Sequence, residues 1–167
     1  VLDTKDSRFF GRTDVFLNGR DIRTRETNLS DLMADADLAT ARITDASVVA
    51  AFKAGGVIRD NVGAVDPSGR KVPPAANPRT GKLAGQISQL DIENTLRYNN
   101  PLTLVTLTAS QLVQVLEHAV AASGSGQFPG QFAQVSGIAF SYDLGRPAYN
   151  PDAPAISRVR SAAVVND

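Results

Sequence analysis

Apolar residues recur at helical spacing in two stretches of this chain, and three predicted helices each begin at a residue that favours a helix N-terminus. The first helix is predicted to run from about Asn28, its N-cap, to Arg42. Ser88 can cap a second helix that ends at about Leu96. The third follows a capping box, Thr108–Gln111. The expected apolar faces are Leu29, Leu32, Met33 and Ala36 in the first helix, and Leu112, Val115, Leu116, Ala119 and Val120 in the third.

Shorter apolar segments between these helices predict β-strands. They are 14–17, which ends at the turn pair Asn18-Gly19; the buried-type segments 47–52 and 102–107; 138–142, with alternating Ile138, Phe140 and Tyr142; and 156–165. Segments 66–81, with four prolines and two glycines, and 124–130, rich in glycine and serine, are expected to be loops, the first on the surface. This alternation of strands and helices predicts one α/β (α+β) layered domain over residues 1–167, with a mixed β-sheet flanked by helices.

Composition narrows the function classes that fit this fold. The 17 basic and 17 acidic residues give no net charge, which argues against a general nucleic-acid or membrane-surface binder. No apolar run approaches the roughly 20 residues of a transmembrane helix. Without cysteine the chain has neither disulfides nor thiolate metal sites.

The segment before the first helix carries candidate anion-binding chemistry. If residues 23–25 are extended, Arg23 and Arg25 present their guanidinium groups side by side, close to a helix N-terminus. A solvated strand edge is an equally good interpretation of these two arginines alone. Beyond the strand 47–52, Gly55-Gly56 lets the backbone approach a ligand, and Arg59 adds a third cation. Most glycine pairs, however, are simply turns.

Tyr98-Asn99-Asn100 follows the second predicted helix and offers an aromatic face beside amide groups. Stacking on tyrosine together with hydrogen bonds from asparagine suits a nucleobase. A tyrosine that closes the core, with two asparagines in a turn, explains the same three residues equally well.

Taken in order, five stretches resemble the C-terminal domain of the 5′-nucleotidase family, which includes UDP-sugar hydrolases and cyclic-nucleotide phosphodiesterases. The resemblance covers roughly residues 10–165. The five stretches are 25–36 (Arg-Glu-Thr-Asn-Leu-Ser-Asp-Leu-Met-Ala-Asp-Ala), 55–59 (Gly-Gly-Val-Ile-Arg), 87–100 (Ile-Ser-Gln-Leu-Asp-Ile-Glu-Asn-Thr-Leu-Arg-Tyr-Asn-Asn), 104–112 (Leu-Val-Thr-Leu-Thr-Ala-Ser-Gln-Leu) and 134–138 (Gln-Val-Ser-Gly-Ile).

The resemblance implies a substrate-binding domain that works beside an N-terminal metallophosphoesterase domain holding two divalent metal ions. It implies that Arg25 and Arg59 grip the phosphate or hold the nucleotide end of the substrate. It also implies that Tyr98 stacks on the base, that Asn100 reads it, and that Gly137 lies near the same pocket. The expected partners are a nucleotide or related phosphoester and that N-terminal domain, and the expected location is secreted or periplasmic.

Three departures from the family pattern bear on these expectations. Ala54 and Val57 stand in a loop where the family usually has Asn-Gly-Gly-Gly-Ile-Arg. Arg97-Tyr98 replaces Pro-Phe, which keeps an aromatic ring but makes the pocket more polar. The family's later Gly-Gly-Asp-Gly-aromatic loop is absent, so we expect a domain that is incomplete at its C-terminus, with one wall of the base site.

The residue types needed for two-metal phosphoester hydrolysis are scarce in this chain. Such a site needs several His, Asp and Asn ligands, and the single histidine, His118, falls beside the apolar stripe of the third helix, where we expect it to face solvent or a boundary. Asp35 and Asp37 are expected on the solvated face of the first helix. We therefore expect this chain alone to be inactive. Two interpretations remain: the substrate-binding part of a nucleotidase-type hydrolase, or a non-catalytic scaffold or partner-binding module that has lost nucleotide binding.

Overall fold

Four α-helices and eight short β-strands form the domain in a computed structural model that describes residues 1–127, 129–152 and 158–165. The helices are α1 (Leu2–Asp6), α2 (Asn28–Thr44), α3 (Gln89–Thr95) and α4 (Ala109–Val120). The strands are β1 (Phe9–Arg12), β2 (Ala51–Ala54), β3 (Ala64–Val65), β4 (Lys71–Val72), β5 (Gln86–Ser88), β6 (Ala133–Ser136), β7 (Ile138–Tyr142) and β8 (Val159–Val164). The predicted mixture of helices and strands in one layered fold is confirmed.

The β structure of the described residues is divided into four antiparallel pairs of strands: β1 with β5, β2 with β6, β3 with β4, and β7 with β8. In the β2–β6 pair, Ala51 lies opposite Ser136 and Ala54 lies opposite Ala133. Helix α2 packs on this pair. Because β2 leads directly into Gly55 and β6 leads into Gly137, these two glycines lie at opposite ends of the pair.

Two apolar clusters form the core. Leu17, Ile22, Leu29, Ile58 and Val62 make the first, and Leu116, Val120, Phe132, Ile138 and Val159 make the second. The second cluster confirms the predicted stripe of α4, whose Leu116, Ala119 and Val120 are buried. The predicted face of α2 is partly wrong, because Leu32 is half exposed and Ala36 is exposed, while Ala34, Leu38 and Ala41 are buried with Leu29.

The helix starts follow the expected capping chemistry with one shift. Ser88 and Thr108 cap α3 and α4 in capping boxes, as predicted. Helix α2 is capped by Thr27 instead of Asn28, and it continues two residues beyond Arg42. The Asn28 side chain accepts a hydrogen bond from the Asn18 N–H and donates to the Phe16 carbonyl, so it holds the preceding segment.

Several strand predictions are wrong in extent or position. Segment 14–17 is not a strand, and only Leu17 forms a bridge, to Val62, while β1 lies earlier in the chain. β2 starts four residues later than predicted and is partly exposed. Segment 66–81 lies at the surface but contains β4, which pairs with β3, and a bridge from Asn77 to Lys82. β7 is confirmed, and β8 (Val159–Val164) lies within the predicted segment 156–165. The first two residues of that segment, and residue 128 in the predicted loop 124–130, lie outside the described residues.

The predicted buried strand over 102–107 is wrong. All six residues are exposed, and no backbone hydrogen bond within the described part of the chain involves them. Alternating leucine, valine and threonine give a segment high strand propensity, but a strand forms only where a neighbour pairs with it. The sequence pattern of 102–107 indicates strand propensity, but it does not show whether another strand lies alongside to pair with it.

A buried lysine fastens α1 to the N-terminus of α3. The Lys82 Nζ donates to Asp6 Oδ1 at 3.2 Å and to Asp91 Oδ2 at 2.6 Å, and the Ser88 hydroxyl donates to Asp6 Oδ1 at 2.8 Å. Burial raises the pKa of Asp6, but hydrogen bonds from Asn77, Ser88, Lys82 and Thr80 outweigh it and lower that pKa to about 2. The ionised carboxylate therefore belongs to the folded state.

A second buried charge joins α4 to β8. The Glu117 carboxylate accepts hydrogen bonds from the N–H groups of Arg158 and Val159 at the start of that strand. The Arg158 guanidinium donates to the carbonyls of Val120, Ala121 and Ser123, which satisfies the carbonyl groups at the end of α4.

None of the described helices has the length and hydropathy needed to cross a bilayer.

The depressed pKa of Asp6 predicts a specific acid sensitivity. The unfolded chain takes up a proton near the ordinary pKa of 3.8 and the folded protein only near 2, so the stabilisation is complete above pH 4 and is lost as the pH falls towards 2. We expect the unfolding free energies of the wild type and Asp6→Asn, measured by urea denaturation, to converge by about 2 kcal/mol over that range.

The exposed aspartate Asp14 provides the control for this measurement. It pairs with Arg12 at the surface, so Asp14→Asn should change the unfolding free energy by less than about 1 kcal/mol at each pH. A difference between the wild type and Asp6→Asn that stays constant from pH 5 to pH 2 would contradict the role given to the Asp6 carboxylate.

Candidate functional site

Residues 21–25 form a turn, here called the arginine turn, immediately before α2. The Asp21 carbonyl accepts hydrogen bonds from the N–H groups of Thr24 and Arg25 at 2.9 and 3.1 Å. The expected extended geometry of Arg23 and Arg25 is therefore wrong, and the side-by-side arrangement that it implied does not follow. Arg23 is half-buried and Arg25 is exposed.

A buried amide holds the arginine turn in place. The Gln134 Nε2 donates to the carbonyls of Ile22 and Arg25 at 2.8 and 2.9 Å, and its Oε1 accepts from the Ser30 hydroxyl at 2.6 Å. Gln134 is almost completely buried in β6. A single glutamine in a short strand gives no periodic signal, so the sequence did not reveal this role.

The Arg25 side chain already has an acidic partner in this turn. Its Nη2 donates to Asp21 Oδ2 at 2.5 Å, and hydrogen bonds from Arg25 and Asn18 hold the pKa of Asp21 below its ordinary value. An exposed ion pair of this kind contributes little stability, commonly less than about 1 kcal/mol. A phosphate could therefore replace Asp21 at Arg25 at small cost.

The glycine pair after β2 is packed against the protein's own backbone. A Cβ atom on Gly55 would lie 2.0 Å from the Ile22 carbonyl oxygen, and one on Gly56 would lie 2.8 Å from the Gly130 Cα. The N–H groups of Gly55 and Gly56 donate to the carbonyls of Phe132 and Gly130 at 2.7 and 2.8 Å. The predicted approach of this backbone to a ligand stays a prediction. The structure shows instead a close approach to the protein's own backbone, which brings the arginine turn against the loop that carries Arg59.

Arg59 and Tyr98 are brought together by the end of α3. The Arg59 N–H donates to the Thr95 carbonyl at 2.9 Å, which ties the glycine loop to the helix C-terminus. The Arg59 guanidinium lies 5.8 Å from the centre of the Tyr98 ring, within cation–π range, and its Nη1 donates to the Gly56 carbonyl at 3.2 Å. Tyr98 remains 55% exposed, so part of its ring is available to a ligand.

Tyr98 and Asn100 both line a cleft of 720 Å³ between α1, α3 and β2. Two ion pairs lie in its wall, one between Lys5 and Glu93 and the other between Lys53 and Asp37 at 2.7 Å. The expected solvated position of Asp37 is wrong, because this carboxylate is half-buried against Lys53. The cleft is open, and its lining combines aromatic, amide and charged groups with apolar side chains such as Leu2, Leu90 and Ile92.

Gly137 lies away from this group. It follows β6 at the end of the β2–β6 pair opposite Gly55, about 17 Å away along the strand direction, since five residue steps of 3.3 Å separate the two levels. Its φ is +70°, and a Cβ atom there would lie 2.2 Å from the Val49 carbonyl oxygen. Glycine is needed here for the turn between β6 and β7. Of the five expected site residues, Tyr98 and Asn100 line the cleft, Arg59 contacts Tyr98, and Arg25 lies in the arginine turn.

The acidic residues and the histidine are not arranged around a metal ion. In the ranges that the structure describes, no group of three or more His, Cys, Asp or Glu side chains could hold one. His118 is exposed, as expected, and meets the Tyr149 ring edge-on at 6.3 Å.

Burial, together with the charges of Glu26 and Asp35, raises the pKa of Asp31 to about 6.

The order and geometry of these elements match a known family of domains. The sequence profile described as "5′-nucleotidase, C-terminal domain" matches residues 9–167. The chain belongs to this family. It is 30% identical over 146 residues to the trifunctional nucleotide phosphoesterase protein YfkN of Bacillus subtilis, covering 85% of this chain and 8% of that protein. It is also 30% identical over 152 residues to the 5′-nucleotidase of Homo sapiens, covering 87% of this chain and 23% of that protein.

A solved structure supports the same assignment. The crystal structure of a 5′-nucleotidase precursor from Thermus thermophilus superposes with a TM-score of 0.69 at 26% sequence identity, covering 96% of this chain and 26% of that one. This 5′-nucleotidase C-terminal domain thus spans about a quarter or less of the length of these relatives.

The buried amide of Gln134 provides a test of how the arginine turn is held. In Gln134→Leu, the Ile22 and Arg25 carbonyls lose their shared donor, and each buried acceptor left without a partner costs about 1–3 kcal/mol. The unfolding free energy in urea should fall accordingly. The control Gln114→Leu changes an exposed glutamine on α4 and should alter it by about 0.5 kcal/mol or less. Equal effects of the two substitutions would contradict the role of Gln134.

Proposed function

We propose that this domain binds the nucleotide substrate of a 5′-nucleotidase-type phosphoester hydrolase. The observation that carries the proposal is the contact between Arg59 and Tyr98, a residue of the cleft lining. A guanidinium group recognises phosphate or carboxylate oxygens through its planar fork of donors, and an exposed tyrosine ring offers a face for a base. Their proximity lets one nucleotide reach both.

Arg59 differs from the two lysines in the cleft wall in the charge of the groups that it contacts. Lys5 and Lys53 each face a carboxylate, so their charges are neutralised locally. Arg59 meets a carbonyl and an aromatic ring, which orient the guanidinium without cancelling its charge. An anionic ligand therefore gains more from Arg59 than from either lysine, and a charge-assisted hydrogen bond there is worth about 1.5–3 kcal/mol.

The reaction itself belongs, in this proposal, to an N-terminal metallophosphoesterase domain of the same protein, in which two divalent metal ions would activate water and stabilise the transferring phosphoryl group. The described side chains offer no metal site of their own. This domain would bind and orient the nucleoside end of the substrate. Export to the periplasm or outside the cell is proposed from the family alone.

One observation favours the alternative, a non-catalytic module that has lost nucleotide binding. Val57, where the family usually has glycine, lines the same cleft as Tyr98 and Asn100. Its branched side chain takes up room and adds apolar surface close to the groups that would meet the nucleoside. Direct binding measurements separate the two functions.

A titration of this chain with adenosine 5′-monophosphate, adenosine and ribose 5-phosphate tests nucleotide binding. NMR signals of the Arg59 guanidinium and the Tyr98 ring should shift and saturate with the monophosphate, because it alone has both the base and the phosphate. Adenosine should move mainly the Tyr98 signals, and ribose 5-phosphate mainly those of Arg59. If no ligand shifts either residue at millimolar concentration, the alternative is correct for this chain.

The kinetic counterpart uses the whole enzyme that contains this domain. Arg59→Ala should weaken transition-state binding by about 1.5–3 kcal/mol, which is roughly a ten- to hundredfold loss in kcat/KM. Arg160→Ala is the matched control, because it removes an exposed arginine of β8 and leaves the contact between Arg59 and Tyr98 unchanged. An unchanged kcat/KM in Arg59→Ala would exclude direct substrate contact by this residue.

A further inference from the structure

Asn99 has an unusual backbone conformation. Among the described residues other than glycine, it is the one with a positive φ, 48°. Side chains of L-residues are crowded in this left-handed region, and asparagine tolerates it better than most. Residues held in such conformations are concentrated at ligand sites, where the strain fixes a geometry that the site uses.

The positive φ of Asn99 lies where the backbone changes direction between two segments. Helix α3 ends at Thr95, and the Asn99 N–H closes the following turn on the Leu96 carbonyl at 3.4 Å. On the other side, Pro101 restricts Asn100 to an extended conformation. The change of direction between the helical turn and the extended segment therefore falls on Asn99.

The two residues that flank Asn99 are the candidate base-binding residues. Tyr98, Asn99 and Asn100 all line the cleft, and Tyr98 also supports Arg59. A right-handed backbone at Asn99 would rotate Asn100 relative to Tyr98, so ring and amide would no longer face the cleft together. The conformation of one residue thus sets the relative orientation of two.

We propose that Asn99 is a positioning residue for nucleotide binding, and that its left-handed backbone conformation, and not its side chain, aligns Tyr98 with Asn100. This inference rests on the proposed function, because the alignment matters only if both side chains meet the same ligand. It makes glycine the best replacement at this position and alanine a poor one.

Two substitutions separate the backbone effect from a side-chain contact. Glycine adopts positive φ without steric cost, so Asn99→Gly should bind adenosine 5′-monophosphate within about twofold of the wild type. Alanine disfavours this region, so Asn99→Ala should bind about fivefold or more weakly. In the free proteins, the NMR signals of the Tyr98 ring should move in the alanine variant and stay close to the wild type in the glycine variant.

The controls make each outcome decisive. Thermal unfolding confirms that every variant is folded at the temperature of the titration, and Asn150→Ala, at an exposed asparagine outside the cleft lining, should bind as the wild type does. Equal affinity of Asn99→Ala and the wild type would overturn the inference alone. A glycine variant as weak as the alanine variant would also overturn it, because a side-chain contact would then be responsible. A wild type that does not bind would overturn the proposed function as well.

Discussion

The candidate site depends on one buried amide. Gln134 in β6 donates two hydrogen bonds to carbonyls of the arginine turn and accepts one from Ser30 at the start of α2. A strand, a helix and a turn thus meet on a single side chain inside the protein, where each polar group without a partner is costly. Because all three bonds are made together, the backbone that carries Arg25 has a fixed position, while the arginine side chain itself remains exposed.

The glycine pair extends this fixed position to the cleft. Gly55 touches the Ile22 carbonyl, whose own hydrogen bond comes from Gln134, and the next residues lead to Arg59. The Arg59 N–H in turn holds the end of α3, from which Tyr98 projects. A continuous series of backbone contacts therefore connects the arginine turn to the cleft. Small side chains are required along this series of contacts because the chain segments lie so close together that an added Cβ atom would overlap the neighbouring backbone.

The helices could be predicted because their stabilising contacts join residues that are close in sequence. The site could be predicted only in part because some of its contacts join residues that are far apart in sequence. The capping residues Ser88 and Thr108 and the stripe of α4 could be identified because their partners lie within one or two turns in sequence. The family motifs selected Arg59, Tyr98 and Asn100, which the structure brings to one place. Gln134 was missed because its partners lie more than 100 residues away in sequence. The segment 102–107 was assigned to a buried strand because propensity carries no information about a pairing neighbour.

The charges around the site explain how a chain without net charge can still offer an anion site. The two lysines of the cleft wall are neutralised by carboxylates within salt-bridge distance, Lys5 by Glu93 and Lys53 by Asp37. Arg25 differs because its pair with Asp21 is exposed to water, and an incoming phosphate competes there with a weakly held partner. Arg59 differs again because its partners, a carbonyl and a ring, orient it without carrying a negative charge themselves. If the domain binds the proposed nucleotide, selectivity for its phosphate would therefore come from how individual arginines are partnered, since the overall balance of charge provides none.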